Sequence, residues 1–328
     1  MKDFTKALNV LKDFSKEDLL IIFNTIMESA QSTDHKSEMC SCPYCSGNNV
    51  IRYGKKHGKQ RFLCKDCDKT FVTTTNTVMS MSHQSAAVWE GMIEDTVNGN
   101  ALSYSEKRLG VSHQVAFNMR HEILLELETR NSAEPTLLDE VSELDETFVL
   151  ECYKGKKLPD AIGRPARKHG AKAQKRGISN EYVCICTGAQ RKSNVVIKSV
   201  NRAKPSSEEI AEVFAGHIAD GALLLTDGLR SYGILESLAG CSIKNVEDEK
   251  TSFYNLNTVN NLHSVIKKQY EFYRGVATKY INRYCTLFRY MYRNTTSAIK
   301  DLKDAMLKPG NAVHYSISDV KSHGLATI

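Results

Sequence analysis

Acidic residues at the ends of apolar, strand-like runs are the first candidates for chemistry in this sequence. Asp145 lies in the segment LDETF and is directly followed by Glu146, and Asp227 closes the aliphatic run LLLTD. Acids are seldom placed in or just after buried strands without a role, and the carboxyl end of a strand faces the crevice where α/β folds keep their chemistry. Two such carboxylates can hold a pair of Mg²⁺ or Mn²⁺ ions about 3.5–4 Å apart, as phosphodiester chemistry requires. In the alternative interpretation, each Asp caps a helix or closes a surface turn.

The segment 256–268, LNTVNNLHSVIKK, has the pattern of a helix that could form one wall of such a site. At about 100° per residue, Asn260, His263 and Lys267 fall on one face. The opposite face is expected to pack on the sheet and consists of Val259, Leu262, Val265 and Ile266. Asn260 offers a neutral carbonyl oxygen to a metal ion, and Lys267, about 10 Å further along the helix axis, can hold a phosphate. An amphipathic helix with a solvated polar face is the alternative.

Two Cys-x-x-Cys pairs, CPYC at 42–45 and CKDC at 64–67, predict a zinc site. Each pair presents two thiolates from one tight turn, and two such turns complete a tetrahedral Zn²⁺ site with Zn–S distances of about 2.3 Å. The predicted ligands are Cys42, Cys45, Cys64 and Cys67. Because a Gly- and Lys-rich turn between two strand-like runs separates the pairs, the segment predicts a zinc ribbon. The neighbouring Cys40 could compete as a ligand.

A helix-turn-helix is predicted by the segment ALSYSEKRLGVSHQVAFNMRHEIL at 101–124. It has the pattern of a helix, a glycine-centred turn and a second helix for which Ser112 is the cap. The candidate DNA contacts of the second helix are His113, Gln114, Asn118 and Arg120. A small helical hairpin of another kind is the alternative.

Positive charge is concentrated in one part of the chain. The formal net charge is +6, and residues 154–176 hold nine Lys or Arg against one Asp. A basic island on a near-neutral chain favours a polyanion partner. Its candidate DNA contacts are Arg164, Arg167 and Lys168, and those of the predicted ribbon are Lys55, Lys56 and Arg61. The Gly and Pro content of the island predicts a mobile loop, and the alternatives are a solubilising loop and a ribbon with a structural or protein-binding role.

Two classes of protein are disfavoured. No apolar run reaches the roughly 18 residues of a membrane span, and the first residues lack the apolar core of a signal peptide. Clustered cysteines are therefore interpreted as metal ligands rather than disulfides, and the cytosol is the expected location.

The order of elements predicts the fold class. Three strands, a helix, a strand and further helices follow residue 137, which is an α/β order. The predicted divisions are a helical segment and linker at 1–38, a zinc ribbon at 39–80, a helix-turn-helix at 81–130, an α/β domain at 137–300 with a basic insert at 154–177, and a tail at 309–328.

These features resemble the zinc-ribbon-bearing insertion-sequence transposases of the DDE superfamily over roughly residues 40–295. The resemblance rests on CPYC with RFLCKDC, on LGVSHQVAFNMRH, and on LDETFV, LLTDGLRSYG and VNNLHSVIKK. It implies an RNase H-like mixed sheet with flanking helices, in which Asp145 and Asp227 are the first two metal ligands. In this family a Lys follows the third ligand by seven residues, so Lys267 becomes a DNA-contacting residue and Asn260 the third ligand.

The departure from the family pattern is Asn in place of Glu at the third ligand. Subgroups of the family look similar in having Asn there, so the departure does not by itself imply inactivity. A neutral amide attracts a divalent ion less than a carboxylate does, and His263, Glu146 and Glu271 are the candidates to compensate.

The resemblance implies a transposase that binds terminal inverted repeats through the ribbon and the helix-turn-helix. Two divalent ions would support strand cleavage and attack of the freed 3′-hydroxyl on target DNA. A homodimer or higher oligomer on DNA is expected because two ends must be joined, in a bacterial cytoplasm and at the nucleoid when bound. The alternatives are a catalytically inactive, domesticated DNA-binding regulator and a metal-dependent nuclease without strand transfer.

Overall fold

The structure is a computed structural model whose described residues form two compact units, divided between Thr73 and Thr74. It describes residues 15, 41–56, 58–80, 82–132, 137–162, 164, 165, 167, 171–191, 193–249, 251–294, 297–307 and 317–322. The predicted helical segment at 1–38 therefore lies outside the described residues apart from Ser15, and so does Cys40. Among the helices that are described, none combines the length and the apolar character needed to cross a bilayer.

The first unit is a three-stranded antiparallel sheet in the order β1-β2-β3. Its strands are β1 (Val50–Lys56), β2 (Lys59–Cys64) and β3 (Thr70–Val72). The apolar core is little more than Phe71, stacked on Phe62 with ring centroids 5.6 Å apart, together with two buried cysteines. Since so small a core rarely stabilises a fold unaided, this architecture supports the predicted zinc ribbon.

The second unit begins with three helices and continues with a five-stranded sheet and its flanking helices. The helices before the sheet are α1 (Ala86–Val97), α2 (Leu102–Leu109) and α3 (His113–Ser132). The strands are β4 (Val141–Leu150), β5 (Tyr182–Gln190), β6 (Val195–Arg202), β7 (Leu223–Thr226) and β8 (Ser242–Asn245). The other helices are α4 (Ser207–Phe214), α5 (Ile234–Ala239), α6 (Asn257–Phe272), α7 (Ile281–Arg293), α8 (Ala298–Leu307) and α9 (Ile317–Ser322).

The sheet has the order β6-β5-β4-β7-β8, with β4, β5 and β6 antiparallel and β4, β7 and β8 parallel. Numbered within this sheet alone, the order is 3-2-1-4-5, that of an RNase H-like sheet, and the predicted α/β class is confirmed. The prediction of four strands was wrong by one, because β8 is only four residues long, SIKN, and three of those residues are polar. Its pairing with β7, rather than its own pattern, makes it a strand.

The two faces of the sheet are covered by different helices, because side chains alternate along each strand. One face packs on α4 and α5, with Leu144 and Phe214 in the core between them. The other face packs on α6 and α7, and the helices α1 and α3 share that core through Trp89 and Ile123. The helix-turn-helix thus lies in one compact unit with the sheet, while the predicted domain boundaries stay predictions.

The turn of the helix-turn-helix forms as its sequence predicts. Gly110 ends α2 with a φ of 65°, the left-handed conformation that glycine adopts without strain, and Ser112 Oγ accepts from Val115 N at 3.3 Å. On the other side of the sheet, Ser206 caps α4 and exchanges reciprocal hydrogen bonds with Glu209. Local capping chemistry therefore sets both helix starts.

The predicted tail contains an ordered element. Within 309–328 the described residues form α9, and Arg283 of α7 donates to the carbonyls of Val320 at 2.8 Å and Asp319 at 3.1 Å. Arg283 is buried and also lies 3.0 Å from His121 of α3. These bonds satisfy carbonyls at the end of α9, a contact between distant segments that no local pattern announces.

Candidate active site and metal centres

The strand register places the two predicted aspartates side by side. On the parallel strands β4 and β7, Glu143 pairs with Leu225, so two residues further on Asp145 lies beside Asp227. β7 ends at Thr226 while β4 continues to Leu150, which leaves the edge of β4 open where the carboxylates meet. Oxygen atoms of Asp145, Glu146 and Asp227 lie within 4.8 Å of one another. The predicted pair is therefore a cluster of three.

The turn after β7 fixes the direction of Asp227. Asp227 Oδ1 accepts a hydrogen bond from Leu229 N at 3.0 Å, and Gly228 has a φ of 86°. A Cβ at position 228 would approach Asn245 Nδ2 to 2.7 Å, so both the conformation and the space require glycine. The sequence Asp-Gly at the end of an apolar strand thus encodes the exposed carboxylate.

Glu146 is a site residue that the predicted ligand set did not include. Its neighbours are Asp145 and Asp227 on one side and Tyr232 on the other, and its Oε1 is buried without a hydrogen-bond partner among the described residues. Burial raises the pKa of Glu146 to about 7, the neighbouring Tyr232 hydroxyl opposes the shift, the two aspartates add to it, and the charge of Lys204 opposes it. Its adjacency to Asp145 is the sequence signal, although neighbouring side chains of a strand normally point to opposite faces.

Asp145 carries a half-buried carboxylate that accepts a hydrogen bond from the backbone N–H of the next residue. Burial raises its pKa to about 6, with Asp227 adding to the shift, while the Glu146 N–H at 2.8 Å and the charge of Lys267 oppose it. A carboxyl group whose pKa is raised because it is buried among other acids is characteristic of a site that a cation completes.

A buried carboxylate fixes the start of α6 on the sheet. Glu143 is fully buried and accepts from Thr258 N at 2.7 Å and Val259 N at 3.0 Å, while Arg191 donates to it at 2.8 Å. A carboxylate at this position is favourable because the first N–H groups of a helix have no partner within the helix. Since α6 has no side-chain cap of its own, β4 supplies the cap.

The helix α6 presents His263 to Asp145, although the predicted division of its faces was partly wrong. The buried residues are Val259, Leu262, His263 and Ile266, whereas Val265 is 45% exposed. The buried stripe therefore follows the i, i+3, i+4, i+7 spacing and includes the imidazole. His263 Nε2 lies 2.5 Å from Thr187 Oγ1, and His263 Nδ1 lies 3.7 Å from Asp145 Oδ2.

Asn260 and Lys267 flank His263 on the same helix, and both are exposed. The charge of Lys267 lowers the pKa of both Asp145 and His263, although burial is the larger cause for the imidazole, whose pKa falls to about 4. The predicted cation thus lies within electrostatic reach of the carboxylates. Glu271, the remaining predicted candidate for compensation, is exposed and lies about two turns beyond His263 on α6.

The carboxylate cluster fits a divalent cation. Oxygen ligands on one octahedral ion are about 3–4.2 Å apart when each metal–oxygen distance is about 2.1 Å, which the 4.8 Å spread of the cluster accommodates with small side-chain shifts. The buried Oε1 of Glu146 lacks a hydrogen-bond partner among the described residues, and a bound cation would compensate for that missing interaction. The donor set is oxygen-rich, which suits a hard ion.

The four ribbon cysteines form a second candidate metal centre. All four Sγ atoms lie within 4.8 Å of one another, and the pairs Cys42–Cys67 and Cys45–Cys64 are 3.6 Å apart. A tetrahedral ion with bonds of about 2.3 Å places its sulfurs about 3.8 Å apart, so the geometry fits. The Tyr44 N–H also donates to Cys42 Sγ at 3.4 Å, a contact that stabilises a thiolate.

Three of the four predicted reading residues of the helix-turn-helix lie toward the start of α3. His113 and Gln114 are exposed and Asn118 is half-buried, with Gln114 donating to Asn118 Oδ1 at 2.8 Å and His113 lying 3.0 Å from Glu106. Arg120 is different. It is buried, and its guanidinium donates to Asn100 O at 2.7 Å.

The prediction that Arg120 contacts DNA is corrected by this burial. Its Nη2 also lies 3.3 Å from Ser105 Oγ of α2, and the guanidinium stacks over Tyr273 at 5.4 Å. Arg120 therefore joins the helix-turn-helix to the core. A charge about two turns inside the helix is expected to be accessible from the sequence alone, because its partners lie on other elements.

Two of the three predicted contacts of the basic insert are also internal. Arg164 and Arg167 are mostly buried, Arg164 pairs with Glu151, and Arg167 pairs with Glu181 at 2.9 Å. Arg202 of β6 joins Glu151 at 3.2 Å. These arginines attach the insert to the edge of the sheet, which corrects their predicted role, and Lys168 lies outside the described residues.

The exposed cations of the insert remain available to a polyanion. They are Lys154, Lys156, Lys157, Lys172, Lys175 and Arg176. On the ribbon, Lys55 is exposed, and Arg61 stacks over the exposed ring of Tyr53 at 5.4 Å while donating to Thr70 Oγ1 at 3.2 Å. The side chain of Lys56 lies outside what the structure describes.

Comparison with known proteins identifies the sheet-bearing segment. The sequence model of the ISXO2-like transposase domain matches residues 137–293, which contain the whole acidic cluster and α6. A protein of Halobacterium salinarum, described as an uncharacterized protein in transposable element ISH50, is 25% identical over 258 residues, covering 76% of this chain and 83% of that protein.

Two solved structures are also similar to parts of this chain. A pre-cleavage Mos1 transpososome is similar over 71% of this chain and 80% of that chain, at 11% identity and a TM-score of 0.20. A Mos1 transposase paired-end complex with the left transposon end is similar over 68% and 80%, at 13% identity and a TM-score of 0.23.

Proposed function

We propose that this chain, which carries an ISXO2-like transposase domain at residues 137–293, is a DNA transposase that cuts DNA strands and joins them by transesterification. The observation that carries the proposal is the pairing of Asp145 with Asp227 across β4 and β7, inside the matched segment and beside an open strand edge. A carboxylate pair at the carboxyl end of parallel strands is where such a fold can hold divalent ions.

Each residue of the site has a proposed task. Asp145 and Asp227 bind Mg²⁺ or Mn²⁺, Asn260 adds an amide oxygen as third ligand, and Lys267 holds a DNA phosphate. Two bound ions supply the Lewis acidity and charge neutralisation that phosphodiester chemistry requires. Glu146 increases the negative charge that retains them, which offsets the neutral amide of Asn260.

DNA is the proposed partner, both as terminal inverted repeats and as target. The start of α3, with His113, Gln114 and Asn118, is the proposed base-reading surface, because the first two are exposed there and the capped turn positions the helix. The exposed lysines of the basic insert, together with Lys168, neutralise phosphates. Lys55, Lys56 and Arg61 do so on a ribbon that a structural Zn²⁺ ion stabilises.

The proposed assembly is a homodimer or higher oligomer on DNA, since two transposon ends must be joined. The proposed setting is a bacterial cytoplasm, at the nucleoid when DNA is bound.

The test is cleavage and joining of a labelled DNA that carries the terminal repeat of the element encoding this chain, with Mg²⁺ or Mn²⁺. Wild type is expected to give nicked strands and joined products, and Asp227→Asn to give neither while binding the same DNA. Asp301→Asn, which alters an exposed acid at the start of α8, is the matched control and should cut like wild type.

The alternatives give different outcomes in the same assay. A DNA-binding regulator predicts that wild type and Asp227→Asn bind equally and that neither cuts, which would falsify the enzymatic proposal. A nuclease without strand transfer predicts metal-dependent nicking and no joined product.

A further inference from the structure

The position of one proton in the site follows from the bonding around Thr187. Its hydroxyl oxygen lies 2.7 Å from the backbone carbonyl of Asp145 and 2.5 Å from His263 Nε2. A carbonyl can only accept, and a hydroxyl carries one hydrogen, so Thr187 donates to Asp145 O. Because that hydrogen is used, the close contact between Thr187 and His263 requires Nε2 to carry a hydrogen and donate it.

The other ring nitrogen is consequently bare in the neutral imidazole. His263 Nδ1 faces Asp145 Oδ2 at 3.7 Å, beyond hydrogen-bond distance, and makes no hydrogen bond with any residue that the structure describes. A lone pair opposite a carboxylate oxygen is unfavourable unless a proton or a metal cation lies between them, and a separation of 3.7 Å is too long for a shared proton. The 3.7 Å separation falls inside the range of about 3–4.2 Å that two ligands of one octahedral ion span.

The surroundings of the ring match those of a metal ligand. A histidine that binds metal donates its second N–H to a carboxylate, a carbonyl or a similar group, which fixes the tautomer and the ring orientation. Here the bond passes from His263 through Thr187 to the carbonyl of Asp145, the residue whose carboxylate Nδ1 faces. The imidazole is also held rigidly, since it is 7% exposed in the packed stripe of α6.

A core histidine without a ligand is the competing explanation. The bond to Thr187 satisfies only Nε2, and a core role gives no reason for Nδ1 to point at a carboxylate. The groups facing the ring are Asp145 from β4, Thr187 from β5 and Lys267 from α6 itself. Among these, Asp145 alone offers a lone pair that could share an ion with Nδ1.

We propose that His263 is a metal ligand, and that its Nδ1 shares a divalent cation with Asp145. This inference rests on the proposed function and adds a nitrogen to the oxygen set of Asp145, Asp227 and Asn260. It explains how a site with a neutral amide in place of a third acid can retain its ions. Because imidazole binds Mn²⁺ and Co²⁺ more tightly than Mg²⁺, the site should favour those ions.

The test is pulsed electron paramagnetic resonance of Mn²⁺ bound to the full-length, zinc-loaded protein. The expected spectrum contains hyperfine coupling to a ¹⁴N nucleus, and protein labelled with ¹⁵N only in histidine should show ¹⁵N coupling instead. This arm uses the wild-type chain, so it does not depend on whether a variant folds.

Substitution then assigns the nitrogen. His263→Gln should lose the coupling and bind Mn²⁺ about tenfold or more weakly. His83→Gln, at an exposed histidine of the same unit, should keep both the coupling and the affinity. Asn260→Ala should keep the coupling, because an amide ligand binds through oxygen.

The outcomes separate this inference from the proposed function. If Mn²⁺ binds, if Asp227→Asn abolishes that binding, and if no nitrogen coupling appears, then His263 is not a ligand and the transposase proposal stands. Coupling that persists in His263→Gln also overturns the inference. If wild type binds no Mn²⁺ at the acidic cluster, both the inference and the proposed function fail.

Discussion

At the scale of single residues, the carboxyl groups that are expected to bind a cation also bind protons more tightly than free carboxyl groups do. Burial among neighbouring acids raises the pKa of Asp145 to about 6 and that of Glu146 to about 7, although charged carboxylates are the form that binds metal. A divalent ion must therefore displace protons from these groups. Metal affinity should accordingly increase as the pH rises through about 6 to 7.

The same shifts predict how the metal-free protein depends on pH. An unfolded Asp has a pKa of about 3.9, so between that value and about 6 the folded state holds a proton that the unfolded state has lost. The stabilising contribution is full below the unfolded pKa and is lost as the pH rises through the folded one. In urea unfolding without divalent ions, Asp145→Asn should lose less stability than wild type between pH 5 and pH 8, both values being chosen to bracket about 6.

The control for that measurement is Asp301→Asn, whose unfolding curve should follow wild type at both pH values. An identical pH dependence in wild type and Asp145→Asn would show that Asp145 titrates alike in the folded and unfolded states. Adding Mn²⁺ at the higher pH should reduce the difference, since the cation replaces the protons.

Thr187 allows the relay to His263 to be tested by a conservative change. Thr187→Val removes the hydroxyl that joins Nε2 to the Asp145 carbonyl, and should weaken Mn²⁺ binding about 10–100-fold, as loss of such supporting bonds does elsewhere. Thr187→Ser keeps the hydroxyl and should bind nearly as wild type. Titration calorimetry with Mn²⁺ measures both, and equal affinities in Val and Ser variants would contradict the relay.

The site residues that could be predicted from the sequence are those whose role is indicated by the residues next to them in the chain. Asp145 and Asp227 interrupt apolar strand runs, and the Cys-x-x-Cys pairs carry their ligand spacing with them. Thr187 and Glu143 could not be predicted, because each is an unremarked polar residue of a strand whose partner lies on α6, more than 70 residues away in the chain. Their roles exist only once the sheet and α6 are assembled.

At the scale of elements, part of the positive charge of the basic insert is used to attach the insert to the sheet. Arg164 forms an ion pair with Glu151, and the two side chains are 7% and 1% exposed. Removal of the arginine therefore leaves a buried carboxylate without one of its partners. Arg164→Gln should therefore lower the free energy of unfolding by about 3 kcal/mol. Thermal or urea unfolding measures this directly.

Lys172→Gln is the matched change in the same insert, at an exposed position. It should leave stability unchanged and weaken DNA binding with a smaller salt dependence, since one phosphate contact is lost. If Arg164→Gln instead left stability untouched and reduced only DNA binding, the structural role of its ion pair would be refuted.

In the helix-turn-helix, as in the basic insert, some polar residues are exposed and others are buried and support the fold. Gln114→Ala, at an exposed position near the start of α3, should cost about 1–3 kcal/mol of discrimination between the cognate repeat and a mismatched one. Arg120→Gln should lower the melting temperature, because the guanidinium holds Asn100 and Ser105 from inside the unit. Competition binding with matched and mismatched repeats, alongside melting curves, separates the two effects.

Element boundaries were predictable where capping or turn chemistry is local, as at Ser112, Ser206 and Gly110. They were less so where pairing decides, as in β8, or where packing selects the buried stripe, as in α6. Val265 shows the reason for the second case. A helix of mixed polarity allows more than one buried face, and only the sheet beneath it selects one.

At the scale of the whole molecule, the two compact units hold their folds by different means. The ribbon has a minimal apolar core around four clustered cysteines, whereas the second unit has two extensive cores on either side of its sheet. A strong zinc chelator should therefore unfold the ribbon alone and leave the main thermal transition in place. Cys64→Ser should do the same without chelator.

The control is Cys152→Ser, a cysteine of the second unit, which should keep both the ribbon and its sensitivity to chelator. Proteolysis within residues 41–73 reports the state of the ribbon, and calorimetry reports the main transition. A single transition that moves with chelator would show that the two units unfold together.

The capping of α6 by Glu143 has a consequence for how distant relatives can be recognised. Because Glu143 of β4 fixes where the helix begins, the start of α6 on the sheet does not depend on the length of the connection before it. The 33-residue interval from Asp227 to Asn260 is thus free to drift. An insertion between Val259 and His263 is not tolerated in the same way, since one added residue turns the imidazole about 100° from Asp145. A search for proteins with this site should therefore hold the intervals from Glu143 to Asp145 and from Thr258 to His263 constant, and leave the longer one open.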